Sequence, residues 1–245
     1  MIEECFSGFR SQTLSLRMNF RPGLNPLAPS SKAESMKSSF AFDPTAALAH
    51  LRSADPVMDA LITRVGPFAL ERHPTRNLFP ALLRSIVYQQ LHGRAAETIH
   101  RRVLAELAKH GGATPESLGA ATDTELRTAG LSRAKLLAVR DLAARCVDGT
   151  VPSLAAARKL PDDELITRLT AVRGIGPWTV HMLLIFHLGR PDVMPTGDFA
   201  IRLAFQQLYR KRTSPSPEVI LRHARRWQPY RSVASWYLWR HLDAP

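Results

Sequence analysis

LITRLTAVRGIGPWTVHMLLIFHLGRPDVMPTGDFAIRLAF, residues 165–205, decides how this chain is read. An apolar helical run leads into Val172-Arg173-Gly174-Ile175-Gly176. A second helical run covers 177–187, a turn rich in Gly and Pro follows, and Asp198 stands at the mouth of a third helix. Two glycines around one apolar residue between helices make a tight hairpin whose backbone can approach a partner closely. Pro177 falls at a first helical position, where its missing N–H costs nothing. The amides just ahead of that helix then lie at the positive end of its dipole, a site for an anion such as phosphate. Taken alone, Gly-Ile-Gly reads more readily as an ordinary interhelical turn.

Outward from this stretch, composition narrows the partners. Lys and Arg number 33 against 21 Asp and Glu, a formal net charge of +12, so the chain is drawn to polyanions and to nucleic acid first. Charge alone does not separate that reading from a merely well-solvated surface or a ribosome-like background. The 245 residues suffice for a two-lobed protein with a sizeable core. Cys5 and Cys146 are too few for a disulfide framework or a four-cysteine iron–sulfur cluster, and they fit a reducing compartment. For a chain drawn to nucleic acid, the expected location is the cytoplasm and nucleoid if it is bacterial and the nucleus if it is eukaryotic. No apolar run approaches a membrane span.

Residues 1–40 carry Ser, Pro, Arg and Asn without period and read as a disordered tail, with Met18 and Met36 as alternative starts. The fold is expected to begin near Asp43. Asp43-Pro44 and Asp55-Pro56 each look like an N-cap followed by Pro at the first helical position. Residues 67–76 form a connecting loop with room for a short β excursion. Asn77 opens a helix ending in Gln89-Gln90-Leu91-His92-Gly93, and another runs over 94–110. Thr114-Pro115 and Asp123 open two short helices, Ser132 caps a longer one, and Pro161 opens the helix entering the hairpin. Further helices are expected over 199–211, 217–227 and 230–241. Nothing alternates as a sheet does, and no repeat is evident, so the class is all-α.

Together, the hairpin, the Pro195-Thr196-Gly197 turn and Asp198 resemble the helix-hairpin-helix plus Gly/Pro…Asp signature of the HhH-GPD DNA glycosylase superfamily. The resemblance covers roughly 43–242 and is strongest over 165–239. It implies two helical lobes with the active-site cleft between them and no N-terminal β-domain. One lobe would be 41–78 with 195–245, the other 79–194 containing the hairpin. It also implies a monomer acting on double-stranded DNA that contains damaged bases, with an abasic-site endonuclease acting on its product.

Under this resemblance Asp198 is the catalytic carboxylate. Breaking an N-glycosidic bond leaves positive charge on the sugar, and a fixed carboxylate stabilises it and orients or deprotonates the attacking water. Asp is also a favoured N-cap, and both roles can hold at once. Asp192 reads as a structural turn. Relatives that nick the strand carry a Lys two residues after the second hairpin glycine, for Schiff-base chemistry. Trp178 stands there, which implies simple hydrolysis and an electron-rich face for alkylated purines. Trp227, Pro229, Tyr230, Arg231 and Ser232 match a signature of the alkylbase members, the DNA-3-methyladenine glycosylase II type. Trp239 matches a pocket tryptophan, and Trp236 shares that face or packs into the core. Tyr88 lines the pocket or the core.

The resemblance assigns DNA contacts to Arg173, Gly174, Ile175, Gly176, Thr179, Arg231 and Ser232. Gln90 would read the opposite strand. Leu91 or His92 would fill the hole left by a flipped base. Arg84, Arg94, Arg101, Arg102, Arg133, Lys135 and Arg202 are further phosphate candidates, though any one is commonly a solvated charge. The carbonyls of Thr170, Val172 and Ile175 would hold a monovalent cation; no other cofactor is implied. Two readings compete with an alkylbase enzyme. One is a glycosylase for mismatched thymine or uracil. The other is a non-catalytic DNA-gripping module, which explains neither Asp198 nor the tryptophans.

Overall fold

The computed structural model describes residues 40–91 and 93–243. They are helical throughout, with no strand among the described residues, and they form two compact units, 75–180 and 40–74 with 181–243. The β excursion considered for 67–76 is absent; that segment is extended loop. No described helix is long and apolar enough to cross a membrane.

Helices α1 (Pro44–Ala54) and α2 (Pro56–Val65) start where the Asp-Pro pairs place them. Asp43 accepts from the Thr45 amide, and Asp55 Oδ1 accepts from the Val57 and Met58 amides. Gly66 ends α2 with φ +88°, a conformation that suits glycine.

The unit 75–180 is built on α3 (Leu78–Tyr88), whose N-cap Asn77 accepts from the Phe79 amide. Leu78, Phe79, Leu82, Leu83, Ile86 and Val87 make it nearly all core. Then come α4 (Gly93–Ala108), α5 (Pro115–Ala120) and α6 (Asp123–Thr128), the last opened by a capping box between Thr122 and Glu125. Helix α7 (Arg133–Val147), capped by Ser132, packs its Leu136, Val139 and Leu142 stripe on α3 and α5. A single turn, α8 (Leu154–Ala157), which no sequence pattern announced, leads to α9 (Asp162–Thr170) and the start of α10 (Pro177–Met182).

In the other unit, α10 continues into a π-helical stretch, Leu183–Leu188. Gly189 closes it at φ +68°, where a Cβ would fall 2.5 Å from the Arg72 guanidinium carbon. Helices α11 (Phe199–Leu208) and α12 (Pro217–Ala224), a 3-10 turn (Arg225–Trp227) and α13 (Arg231–Asp243) complete it. Helix α13 packs against α11 and α2. Seven consecutive residues of it, Ser232 to Leu238, are buried. With Trp227, Phe205, Met58 and Leu51 they form the centre of this unit.

One carboxylate ties this core together. Asp55 is 2% exposed. Its Oδ2 accepts from the Tyr209 hydroxyl at 2.7 Å and the Trp227 indole N–H at 3.1 Å, with His223 Nε2 at 2.8 Å. Burial alone would raise its pKa. The hydrogen bonds from His223, Tyr209 and Trp227, helped by the charge of His223, outweigh that and hold it far below the usual carboxylate range. Replacing Asp55 by Ala strands these buried donors and is expected to cost about 3–5 kcal/mol in urea unfolding. Because the folded pKa is depressed, the carboxylate's contribution is complete above roughly pH 4 and fades as pH falls below it. The Asp55→Ala protein should lose less stability than wild type over that acid range.

Candidate active site

Between α9 and α10 the chain turns in a few residues. The Val172 amide donates to Leu169 O and the Ile175 amide to Val172 O, closing two successive tight turns. Gly174 adopts φ +79°, which requires glycine there, since its neighbours leave ordinary contact room for a Cβ. Val172 and Ile175 point into the core; Arg173, Gly174 and Gly176 are exposed. The Arg173 amide is taken by Asp141 Oδ2 at 2.7 Å. Among the described residues, the amides of Gly174 and Gly176 donate to no protein acceptor. The hairpin thus presents two backbone donors next to an arginine.

In the other unit Asp198 is the N-cap of α11 and is buried, 6% exposed. Its Oδ1 accepts from the Ile201 amide at 2.9 Å and from the Trp239 indole N–H at 3.3 Å. One donor belongs to its own helix and the other to α13, so the carboxylate is fixed from two directions. The Trp239 ring stacks on Phe186 of the π-helical stretch, 5.7 Å between centroids. Beside the acid, Gly197 is exposed, and a Cβ added there meets nothing within 4 Å. Phe199, the next residue along, is 46% exposed.

The segment delivering Asp198 is held by the first turns of α13. Arg231 Nε donates to Asp192 Oδ1 at 2.6 Å and its Nη2 to Oδ2 at 2.9 Å, a two-pronged ion pair. Ser232 is 2% exposed; its hydroxyl donates to Arg190 O at 2.7 Å and accepts from the Val193 amide at 3.0 Å. Ser235, fully buried, donates to Arg231 O and lies 3.3 Å from Val193 O.

Comparison with known proteins fits this geometry. Residues 83–229 match the HhH-GPD superfamily of base-excision DNA repair proteins. DNA-3-methyladenine glycosylase 1 of Schizosaccharomyces pombe is 35% identical over 80% of this chain and 86% of its own length. The solved structure of that yeast's 3-methyladenine DNA glycosylase, in complex with abasic DNA, superposes with TM-score 0.68 at 35% identity, covering 79% of this chain and 95% of that one. A DNA-3-methyladenine glycosidase from Bacillus halodurans superposes with TM-score 0.72 at 32% identity, covering 82% and 90%. The chain belongs to the HhH-GPD superfamily.

Within this HhH-GPD chain the expected site residues separate. Asp198 and Trp239 meet. Trp236 is in the core, 7% exposed, edge-on to Phe68 and Tyr237. Trp178, half-buried on α10, and Tyr88 belong to the other unit; the Arg84 guanidinium covers the Tyr88 ring at 3.9 Å. Thr179 is 8% exposed. Gln90 is exposed and left-handed, φ +57°, uncommon for a residue with a side chain. Leu91 is half-buried, and His92 lies outside the described residues. Lys135 donates to Val87 O, and Arg202 to Ser214. Thr170, Val172 and Ile175 offer uncharged carbonyl oxygens, a donor set suited to a hard monovalent ion. The Val172 oxygen already accepts from the Ile175 amide.

For Arg231 and Ser232 the geometry speaks for positioning instead of DNA contact. The Arg231 guanidinium is committed to Asp192, and the Ser232 hydroxyl is enclosed with both its roles used. Sequence reasoning missed Phe186 and Phe199, since an isolated Phe in an apolar helix carries no mark. Replacing Ser232 by Ala should lower the melting temperature by several degrees, one buried hydrogen-bond pair being about 1–3 kcal/mol. Affinity for undamaged duplex DNA, measured by fluorescence anisotropy across a salt series, should match wild type.

Proposed function

We propose that this chain is a monofunctional DNA glycosylase that hydrolyses the N-glycosidic bond of alkylated purines, of the 3-methyladenine and 7-methylguanine type, in double-stranded DNA. The carrying observation is Asp198, fixed by the Ile201 amide and the Trp239 indole beside an open turn. The similarity to a DNA-3-methyladenine glycosylase of Schizosaccharomyces pombe and a DNA-3-methyladenine glycosidase of Bacillus halodurans supports the substrate class.

The chemistry follows from that carboxylate. An alkylated purine at N3 or N7 is cationic and leaves as a neutral base, so the C1′–N bond breaks without an acid to protonate it. The bond pair departs with the base and the sugar carries the positive charge. Asp198, in a poorly solvated position, stabilises that charge more strongly than an exposed carboxylate could. Water adds to C1′, its proton passes to the carboxylate, and an abasic site and free base result. Trp178 replaces the Lys that strand-nicking relatives use, so no Schiff base forms and the strand stays intact. Its indole face suits a cationic, electron-poor base. The Gly174 and Gly176 amides, with Arg173, grip a phosphate; Gln90 reads the opposite strand, and Leu91 or His92 fills the hole when the base leaves the stack. The exposed arginines add nonspecific attraction. The product is left for an abasic-site endonuclease, in the nucleoid or nucleus where the substrate lies.

Asp198→Asn keeps an oxygen for the Ile201 and Trp239 donors and removes only the charge. Release of free base from methylated duplex DNA should fall by at least a hundredfold, while affinity for an abasic-site duplex stays within about threefold. Equal release by both proteins would remove Asp198 from the reaction. Release of uracil or mismatched thymine by the wild type, with no methylated base, would move the substrate class. Tight salt-dependent binding with no base released at all would leave a DNA-gripping module.

A further inference from the structure

The loop after α3 and the hairpin after α9 are far apart in sequence, yet the structure bolts them together. Gln89 Nε2 donates to Gly174 O at 2.8 Å. Lys135 Nζ, from the first turn of α7, donates to Val87 O at 2.6 Å, a carbonyl in the last turn of α3. Two turns further along α7, Asp141 accepts the Arg173 amide of the hairpin at 2.7 Å. The frame has three sides: α7 to α3, α7 to hairpin, and α3 loop to hairpin. Each side ends on a backbone group, so each sets main-chain position and not merely a side-chain contact. Partial burial lowers the Lys135 pKa from its ordinary ammonium value.

The residue after Gln89 explains what the frame is for. Gln90 is left-handed and exposed, a conformation that a non-glycine residue holds only where its surroundings impose it. Gln89 tied down on one side, with Lys135 fixing the end of α3, supplies that constraint.

We propose that Gln89 is a positioning residue for base flipping: its bond to the Gly174 carbonyl sets the loop that enters the duplex in register with the hairpin that grips the phosphate. This rests on the glycosylase reading above and adds a coupling between two of its parts. A phosphate caught by the hairpin then fixes where Gln90 and Leu91 meet the base stack. Without the bond, each element still finds DNA, but the wedge arrives out of step with the grip.

The test compares wild type with Gln89→Met, which keeps length and removes the donor, on two duplexes. One holds an alkylated purine opposite its normal partner; the other holds it opposite an abasic site, where pairing no longer resists flipping. Gln89→Met should lose about tenfold in single-turnover excision on the paired lesion, the effect of one well-placed hydrogen bond, and less than about threefold on the unpaired one. Lys135→Met should show the same asymmetry. Equal losses on both duplexes would mean a merely structural role, and no loss on either would mean no role; both overturn the proposal. Should wild type release no base from either duplex, the enzymatic reading fails separately. Registration is then read from 2-aminopurine placed next to an abasic site: it brightens on binding wild type if the loop enters the stack, and an equal rise with Gln89→Met overturns the proposal.

Discussion

The ion pair between Arg231 and Asp192 is the constraint on which the segment leading to Asp198 depends. Residues 190–198 bury Val193 and Met194, but they form no helix whose hydrogen-bond ladder would fix their backbone. The start of α13 holds them instead, with the guanidinium on Asp192 and the hydroxyls of Ser232 and Ser235 on the Arg190 and Val193 backbone. Two turns later the same helix sends Trp239 to Asp198. One rigid element therefore sets both the segment that carries the acid and the acid itself. A shift of α13 would move them together, which preserves their geometry.

Three aspartates in this unit show how environment assigns a role to one side chain. Asp192 is neutralised by a guanidinium at the surface of a turn. Asp55 is enclosed by aromatic donors and serves the core while capping α2. Asp198 also caps a helix, but its second anchor is an indole stacked on Phe186, and the turn before it is open. Capping is common to the last two and so gives neither a role beyond its own helix. The distinction comes from what surrounds the cap: a closed aromatic cluster in one case, an open glycine in the other.

Much of this fold was legible in the sequence, because helix ends are written locally. Asp43-Pro44, Asp55-Pro56, Asn77 and Ser132 each satisfied their own amides, and the helices began where those residues said. The hairpin was legible too, since Gly174 needs its left-handed backbone. The tryptophans were not. Buried residues run without a break from Ser232 to Leu238 in α13, so no amphipathic stripe tells Trp236, a core residue, from Trp239, which reaches the acid. Asp55 announced itself as a cap, but its partners Tyr209, His223 and Trp227 lie more than 150 positions away. The π-helical stretch Leu183–Leu188 carries Phe186, whose stacking partner Trp239 is likewise distant in the chain.

The two segments given functional roles share a mode of support with a physical reason behind it. A loop proposed to bring bare amides against a phosphate, or a carboxylate against a sugar, cannot be covered by side chains on its working side. It must be held from behind. Apolar packing from one side alone tolerates sliding, because dispersion and hydrophobic burial are weakly directional. A hydrogen bond to a backbone group is not: it fixes distance and angle, although each contributes only about 1 kcal/mol net. The hairpin has Asp141 on the Arg173 amide and Gln89 on the Gly174 carbonyl; the acid-bearing segment has Ser232 on the Val193 amide and Ser235 near its carbonyl. In both, backbone groups are pinned by polar side chains while a glycine a few residues on stays exposed, Gly176 in one and Gly197 in the other. Precision of placement at these turns comes from such pairs of polar anchors, and the apolar cores of the two units supply the stability that lets them be spared for it.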